Sequence, residues 1–172
     1  LDFWIGLPEE LEARCAHMIG YKPVAGEVQS AFTQALLTDP QSIQHLSFLN
    51  SGGHQHDSRE AHAAEIGGGG GIANGRALAR MFAPLANGGA LGAVKLLSRT
   101  HIDRMSAVSM ATMEDATLLI PTRFALGFMK SMDNRHRPMG AIESAILGDH
   151  AFGHVGAGGS IGFADPDCQL GF

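Results

Sequence analysis

The spacing of apolar residues changes part-way along the chain, and this change limits the folds that the chain can adopt. Within residues 73–86, Leu78, Phe82 and Leu85 recur at i, i+4 and i+7, which is the period of an α-helix. Over residues 123–130 apolar and other residues alternate instead, as they do in a β-strand. Similar local patterns predict further helices over 8–18, 26–38, 41–49 and 98–108, and further strands over 150–154, 160–164 and from Cys168 onward.

This order, helices first and strands afterwards, predicts an α+β fold rather than alternating βαβ units. We expect residues 1–115 to form a helical region and residues 116–172 to form antiparallel strands joined by tight turns. The chain opens at Leu1 without Met and closes at Phe172 within an alternating pattern, so we expect both ends to be cut. The cellular compartment is therefore left open.

Composition and charge exclude several classes of protein. Hydrophobic residues make up 45% of the 172 residues and charged residues 17%, which argues against a disordered chain. The net charge is −5 and no Lys/Arg cluster occurs, so we predict no nucleic-acid partner. No apolar run is long enough to span a membrane. Cys15 and Cys168 form no CxxC motif; we predict two buried free thiols, and a disulfide between them stays open.

Two conspicuous sequence features give only weak functional signals. The run Gly67–Gly71 lacks the Gly-Lys-Ser/Thr ending of a phosphate-binding loop, and it predicts a structural turn before the following helix. His54, His56 and His62 are a candidate zinc site because a His-x-His pair can bind this metal. A solvated His-rich loop explains these residues more simply. We predict no metal and no cofactor.

The catalytic motifs Ser-x-x-Lys and His-Glu-x-x-His do not occur in the sequence. A further candidate site is the glycine-rich segment 152–160, which ends a predicted strand. Glycines there would let a substrate carbonyl approach a backbone N–H, and His154 could donate to the substrate or assist proton transfer. Spacing alone favours a glycine-rich hairpin with an incidental histidine.

Residues 154–166, from His-Val-Gly to Asp-Pro, resemble the third box of the serine β-lactamase and penicillin-binding protein family, and most closely its class C-type branch, which includes esterases. Other segments resemble that branch in the same order along the chain: 1–11, 67–85 with the following Gly88-Gly89, Leu97-Ser98 and 123–128. The resemblance implies part of a β-lactamase/transpeptidase-like fold. The helical region would belong to its all-α subdomain and the strands to its α/β subdomain.

The resemblance also implies roles for three residues. His154 takes the Lys position of the third box, Gly156 takes the Gly position, and the N–H of Ala157 forms half of an oxyanion hole. The family's nucleophile motif is absent, and Tyr21 does not match the second-box tyrosine, so we expect a fragment of a serine hydrolase that is inactive alone. The intact enzyme would act on small acyl esters first and β-lactams second.

Two alternatives to this function remain. One is a non-catalytic binding protein of the same fold, and the other is a His-rich metal-binding protein. For a fragment with exposed sheet edges, we expect self-association or pairing with a missing N-terminal part.

Overall fold

The computed structural model describes residues 1–22, 24, 26–133 and 148–172. A short 3-10 helix spans Glu9–Arg14, and the α-helices are α1 (Ala31–Thr38), α2 (Ile43–Phe48), α3 (Arg59–Ala63), α4 (Gly75–Ala86) and α5 (Arg99–Ser106). The strands are β1 (Phe3–Ile5), β2 (Gly71–Ala73), β3 (Ala90–Leu91), β4 (Val94–Lys95), β5 (Met110–Thr112), β6 (Thr122–Phe124), β7 (Met129–Lys130), β8 (Phe152–Val155), β9 (Ile161–Asp165) and β10 (Leu170–Gly171). The predicted α+β class is confirmed. The part of the predicted strand region that spans 134–147 lies outside the described residues.

Side-chain caps explain where the helices begin. The side chain of Asn74 accepts a hydrogen bond from Ala77 N at 2.9 Å and starts α4, and Ser98 starts α5 in the same way. The helices predicted over 41–49, 73–86 and 98–108 are confirmed, each slightly shorter than predicted.

The two helices predicted nearest the start of the chain are shorter than the sequence suggested. The segment 8–18 forms only the 3-10 helix Glu9–Arg14. The helix predicted over 26–38 begins at Ala31, because Ser30 is its N-cap and accepts from Thr33 N at 3.1 Å. A serine in the capping conformation has an extended backbone, so the helix cannot continue before it.

Six strands form one antiparallel sheet in the order β10-β9-β8-β7-β6-β5. The single strand predicted over 123–130 is wrong, because β6 and β7 are two short strands of a hairpin in which Phe124 pairs with Met129. Gly127, at φ +81°, allows this reversal at no steric cost. The strands predicted over 150–154 and 160–164 correspond to β8 and β9, and the predicted last strand is β10.

Strands also occur within the region predicted to be helical. β5 already belongs to the large sheet, and β1 pairs with β2 so that Trp4 lies opposite Ile72. β3 and β4 form a separate pair. No described helix has the length and hydrophobicity needed to cross a membrane.

The core lies between α4 and the strands β8, β9 and β10. Phe152 of β8 and Ala164 of β9 pair across the sheet and are fully buried under Phe82 and Ile102. Gly162 leaves room for the ring of Phe82. This packing fixes the position of β8 and β9, and therefore of the hairpin turn that joins them.

Both cysteines are free thiols, but the prediction that they are buried is wrong. Cys168 is exposed in the turn before β10, and Cys15 is half-buried at the end of the 3-10 helix. Neither lies in the core cluster, because both fall at the ends of surface elements.

Candidate functional site

The candidate site is the turn between β8 and β9, which the structure builds as a tight hairpin. His154 pairs with Gly162, Gly156 N donates to Ser160 O at 2.7 Å, and Gly159 N donates to Gly156 O at 3.0 Å. Gly159 has φ +92°, a conformation that glycine adopts readily and other residues rarely do. The three residues between Gly156 and Ser160 thus form a short loop of the kind that closes antiparallel hairpins.

Glycine is also required earlier in β8. A Cβ at Gly153 would lie 2.2 Å from the backbone oxygen of Gly162 and 2.5 Å from the Cα of Phe163. Backbone atoms cannot move aside, so β8 and β9 approach each other closely only because residue 153 has no side chain. This close pairing holds His154, Val155 and Gly156 in place at the end of β8, where the turn begins.

The N–H of Ala157 lies in the exposed turn, directly after Gly156. Within the described ranges no acceptor is hydrogen-bonded to it, whereas Gly156 N and Gly159 N are both paired inside the hairpin. An exposed and unpaired backbone N–H costs little, because water satisfies it. It is also free to donate to an oxygen of a ligand.

His154 is exposed, and the centroid of its ring lies 6.3 Å from that of Phe124. Its Nδ1 lies 2.7 Å from the carbonyl oxygen of Val155. A carbonyl only accepts, so Nδ1 donates the proton and Nε2 of the neutral ring is left as an acceptor. The neutral ring can therefore take a proton at Nε2, whereas donation to a substrate requires protonation first. The structure thus places His154, Gly156 and Ala157 on one hairpin, as the sequence suggested.

One sequence motif at this turn was missed at the level of the sequence, where Gly-x-Ser-x-Gly was taken to be absent. Gly158-Gly159-Ser160-Ile161-Gly162 has the Gly-x-Ser-x-Gly spacing of a nucleophile elbow. That motif needs a sharp turn from a strand into a helix, whereas here Ser160 precedes β9 and its carbonyl accepts from Gly156. The geometry of Ser160 is therefore that of a hairpin residue.

The three candidate metal ligands are not brought together. His54 and His56 lie in an exposed turn with ring centroids 4.8 Å apart, in an edge-to-face arrangement. His62 instead places Nδ1 2.7 Å from Glu12, which also accepts from Arg59. The contacts with Arg59 first, and with His62 second, lower the pKa of Glu12. Among the residues that the structure describes, no group of three or more His, Cys, Asp or Glu side chains could hold a metal ion.

The glycine run at 67–71 forms a turn that leads into β2. Gly70 N donates to Ile66 O at 2.7 Å, and Gly71 begins the strand that pairs with β1. The run was predicted to be a turn directly before a helix; the structure inserts the short strand β2 before α4 begins at Gly75.

The sequence analysis also missed a buried lysine. Lys130 of β7 is only 8% exposed, and its Nζ donates to the carbonyl of His150 at 3.0 Å. Burial, together with the positive charge of Arg123, lowers the pKa of Lys130. The sequence signal that could have drawn attention to Lys130 is its place within a predicted strand. A lysine is rarely buried, so one that a strand places in the sheet is unusual.

A family model described as Beta-lactamase matches residues 1–172. The chain belongs to the beta-lactamase family. Among curated proteins it is similar to Esterase/beta-lactamase LipL of Mycobacterium tuberculosis (strain ATCC 25618 / H37Rv), at 37% identity over 109 residues. That match covers 63% of this chain and 23% of LipL.

Several solved structures are similar to this chain along nearly its whole length. A family VIII carboxylesterase matches with a TM-score of 0.66 at 29% identity, and a penicillin-binding protein homolog from Caulobacter crescentus with a TM-score of 0.71 at 29% identity. EstA from Arthrobacter nitroguajacolicus Rue61a matches with a TM-score of 0.69 at 27% identity. Each match covers 99% of this chain but only 39%, 41% and 42%, respectively, of the matched chains. The predicted β-lactamase/transpeptidase-like fold and family are confirmed, and the chain spans well under half the length of these relatives.

Proposed function

We propose that His154, Gly156 and Ala157 of the β8–β9 hairpin form part of the acyl-binding cleft of a serine hydrolase that works through an acyl-enzyme. The hairpin would supply one wall of this cleft and one N–H donor of its oxyanion hole. The observation that carries the proposal is the exposed N–H of Ala157 at the end of β8, close to His154; this N–H has no hydrogen-bond partner among the described residues. The family membership supports a serine hydrolase-like fold.

The chemistry assigned to the turn is electrostatic. When a nucleophile attacks an ester or amide carbonyl, negative charge develops on the carbonyl oxygen, and a fixed N–H pointing at that oxygen stabilises the transition state. Ala157 N–H is held by the hairpin hydrogen bonds of Gly156 and Gly159, so it needs no rearrangement to donate. His154 Nε2 is available to accept a proton during the same reaction.

The nucleophile of the proposed enzyme lies outside this sequence, since Ser-x-x-Lys does not occur in it. We therefore expect the 172-residue chain to be inactive alone. Incubation with p-nitrophenyl butyrate and with a chromogenic cephalosporin should give no burst and no covalent mass adduct on any serine, Ser160 included. An adduct on Ser160 would show that the hairpin serine itself attacks, and would overturn the proposed division of roles.

The preferred substrates are small acyl esters, with β-lactams second. A β-lactam carries a carboxylate that a cationic side chain holds well, whereas the turn offers His154 and the apolar Val155 instead of a lysine and a hydroxyl. In a longer polypeptide that contains these residues and a Ser-x-x-Lys segment, kcat/KM should be higher for short esters than for cephalosporins. Faster turnover of cephalosporins would reverse the order.

A non-catalytic binding protein of the same fold is the second candidate, and the exposed acceptor on His154 and donor on Ala157 would serve binding equally well. Such a protein would bind an ester without turnover, so single-turnover kinetics of the longer polypeptide separate the two.

The exposed edges of the large sheet support a further proposal about association. β5 and β10 are the outermost strands of the sheet in the described part of the chain, and Phe172 beside β10 is 53% exposed. We expect these edges to pair with a second copy or with the rest of the enzyme. A monodisperse monomer by light scattering would count against self-association.

A further inference from the structure

An aromatic side chain from another strand of the large sheet lies beside His154. Phe124 is the last residue of β6, and its ring plane is tilted by 42° against the imidazole, with 6.3 Å between the two centroids. Aromatic rings attract each other at centroid separations of about 4.5–7 Å. Both β6 and β8 are neighbours of β7 in the sheet. The contact therefore joins two residues that are far apart in sequence.

The sheet holds the backbone of Phe124 from both sides. Phe124 pairs with Met110 of β5 and with Met129 of β7. Its carbonyl oxygen also accepts from Ser109 N at 2.8 Å and from the Ser109 hydroxyl at 3.1 Å. Because these contacts fix the backbone, the half-buried ring of Phe124 offers its neighbour a surface of fixed position.

His154 needs such a surface, because its own side chain is exposed. Exposed side chains change rotamer within nanoseconds unless a contact holds them. The hydrogen bond from Nδ1 to Val155 O, at 2.7 Å, selects the tautomer, since a carbonyl accepts only from a protonated nitrogen. The contact with Phe124 selects the rotamer, since another rotamer would carry the imidazole away from that ring.

We propose that Phe124 is the positioning residue of His154: its ring holds the imidazole so that Nδ1 stays on Val155 O and Nε2 stays open at the end of β8. The inference rests on the proposed function, in which Nε2 accepts a proton during the reaction. A ring that is already fixed loses no further rotational freedom in the transition state. Phe124 acts only through His154 in this role.

A double-mutant cycle in the longer serine hydrolase that contains these residues tests this coupling. Phe124→Leu should lower kcat on p-nitrophenyl butyrate by about 2- to 10-fold, the factor that corresponds to the contact free energy of an aromatic pair, and should change KM less. In the His154→Ala background the same change should have no further effect, because the side chain that Phe124 positions is gone. Losses that multiply, as they do for independent residues, would overturn the proposal.

Two further variants separate positioning from a general effect on folding. Phe124→Tyr keeps an aromatic ring and should retain the wild-type kcat within about twofold. Phe32→Leu is the matched control, because Phe32 is also half-buried and forms an edge-to-face pair, with Phe48, at a centroid distance of 5.2 Å. It lies in α1, outside the sheet, and should leave kcat unchanged. An equal fall in kcat for Phe32→Leu would contradict a specific role for Phe124.

The position of the imidazole can also be measured without turnover, by NMR of the 172-residue chain. The nitrogen and carbon chemical shifts of a histidine ring show which nitrogen carries the proton. At about pH 9, where histidines are neutral, His154 should carry it on Nδ1 in the wild type and in Phe124→Tyr. Phe124→Leu should show a mixture of both tautomers. A Phe124→Leu spectrum with the wild-type tautomer alone would overturn the proposal.

This proposal and the proposed function fail separately. If His154→Ala turns over the ester as fast as the wild type, the proton transfer assigned to His154 is wrong, and the NMR result alone decides whether Phe124 positions the ring. If His154→Ala is slow but Phe124→Leu is as fast as the wild type, the role of His154 stands and Phe124 is not its positioning residue.

Discussion

The packing that positions the hairpin can be tested at Gly162, where β9 meets α4. A Cβ on residue 162 would lie 2.6 Å from Cε2, 3.2 Å from Cδ2 and 3.4 Å from Cζ of Phe82. The Phe82 ring is 7% exposed and belongs to the core cluster, so it has little room to move. The backbone of Gly162 does not have a positive φ, so the added methyl group is the cause of any strain.

We expect Gly162→Ala to lower the free energy of unfolding by about 1–3 kcal/mol, the usual cost of overpacking a dense core. Phe82→Ala alone should cost about 3–5 kcal/mol because it leaves a cavity. With both changes the methyl group enters the space that the ring vacates. The double variant should therefore lose less unfolding free energy than the two single variants lose together, by at least about 1 kcal/mol.

Urea unfolding followed by far-UV circular dichroism measures these differences as shifts in midpoint at constant slope. Gly75→Ala is the matched control, because it lies in α4 and nothing lies within 4 Å of its Cβ position. Because Gly75 is the first residue of α4 and not an interior one, the change should raise the free energy of unfolding by less than about 0.5 kcal/mol or leave it unchanged. Additive effects of Gly162→Ala and Phe82→Ala would refute the contact between α4 and β9 on which the hairpin's position depends.

Three other changes test electrostatics and capping. Burial would raise the pKa of Asp115, but hydrogen bonds from Leu118 N, Thr117 N and the Thr122 hydroxyl lower it overall. Asp115→Asn should therefore lower the free energy of unfolding by about 1–3 kcal/mol at neutral pH. In urea unfolding from pH 7 downward, the difference between the two proteins should shrink as acid protonates the wild-type carboxylate. Burial lowers the pKa of Lys130, so the unfolded chain binds more protons than the folded chain, and the free energy of unfolding of the wild type should rise as the pH approaches about 10.4. Lys130→Met should remove this part of the rise. The same dependence of unfolding free energy on pH in both proteins would be the contrary result. Ser98→Ala removes the N-cap of α5 and should lower the unfolding free energy by about 1 kcal/mol, whereas no change would mean that the cap is not formed in solution.

Local signals explain which elements the sequence predicted well. Ser98 and Asn74 are capping side chains whose partners lie three residues away, so the starts of α4 and α5 follow from the neighbouring sequence. The hairpin turn at 156–160 was predicted for a similar reason, since its glycines lie next to each other in the chain.

Elements that depend on distant partners were missed. β1 pairs with β2 through residues such as Phe3 and Ala73, which are far apart in sequence. The hairpin at 123–130 was read as one strand because alternation continues through its turn, and only Gly127 marks the reversal. The burial of Lys130 also depends on distant residues, since its Nζ donates to the carbonyl of His150 in another part of the chain.

The role of the Ala157 N–H is the central claim, and acylation kinetics of the longer serine hydrolase that contains these residues test it most directly. Ala157→Pro removes the N–H at the second residue of a turn, where proline is well accommodated, and Ala157→Gly retains it as the control. The account predicts that the proline variant acylates on p-nitrophenyl butyrate about 10²–10³-fold more slowly than the wild type, while the glycine variant stays within a few-fold. A proline variant that acylates as fast as the glycine variant would contradict the account.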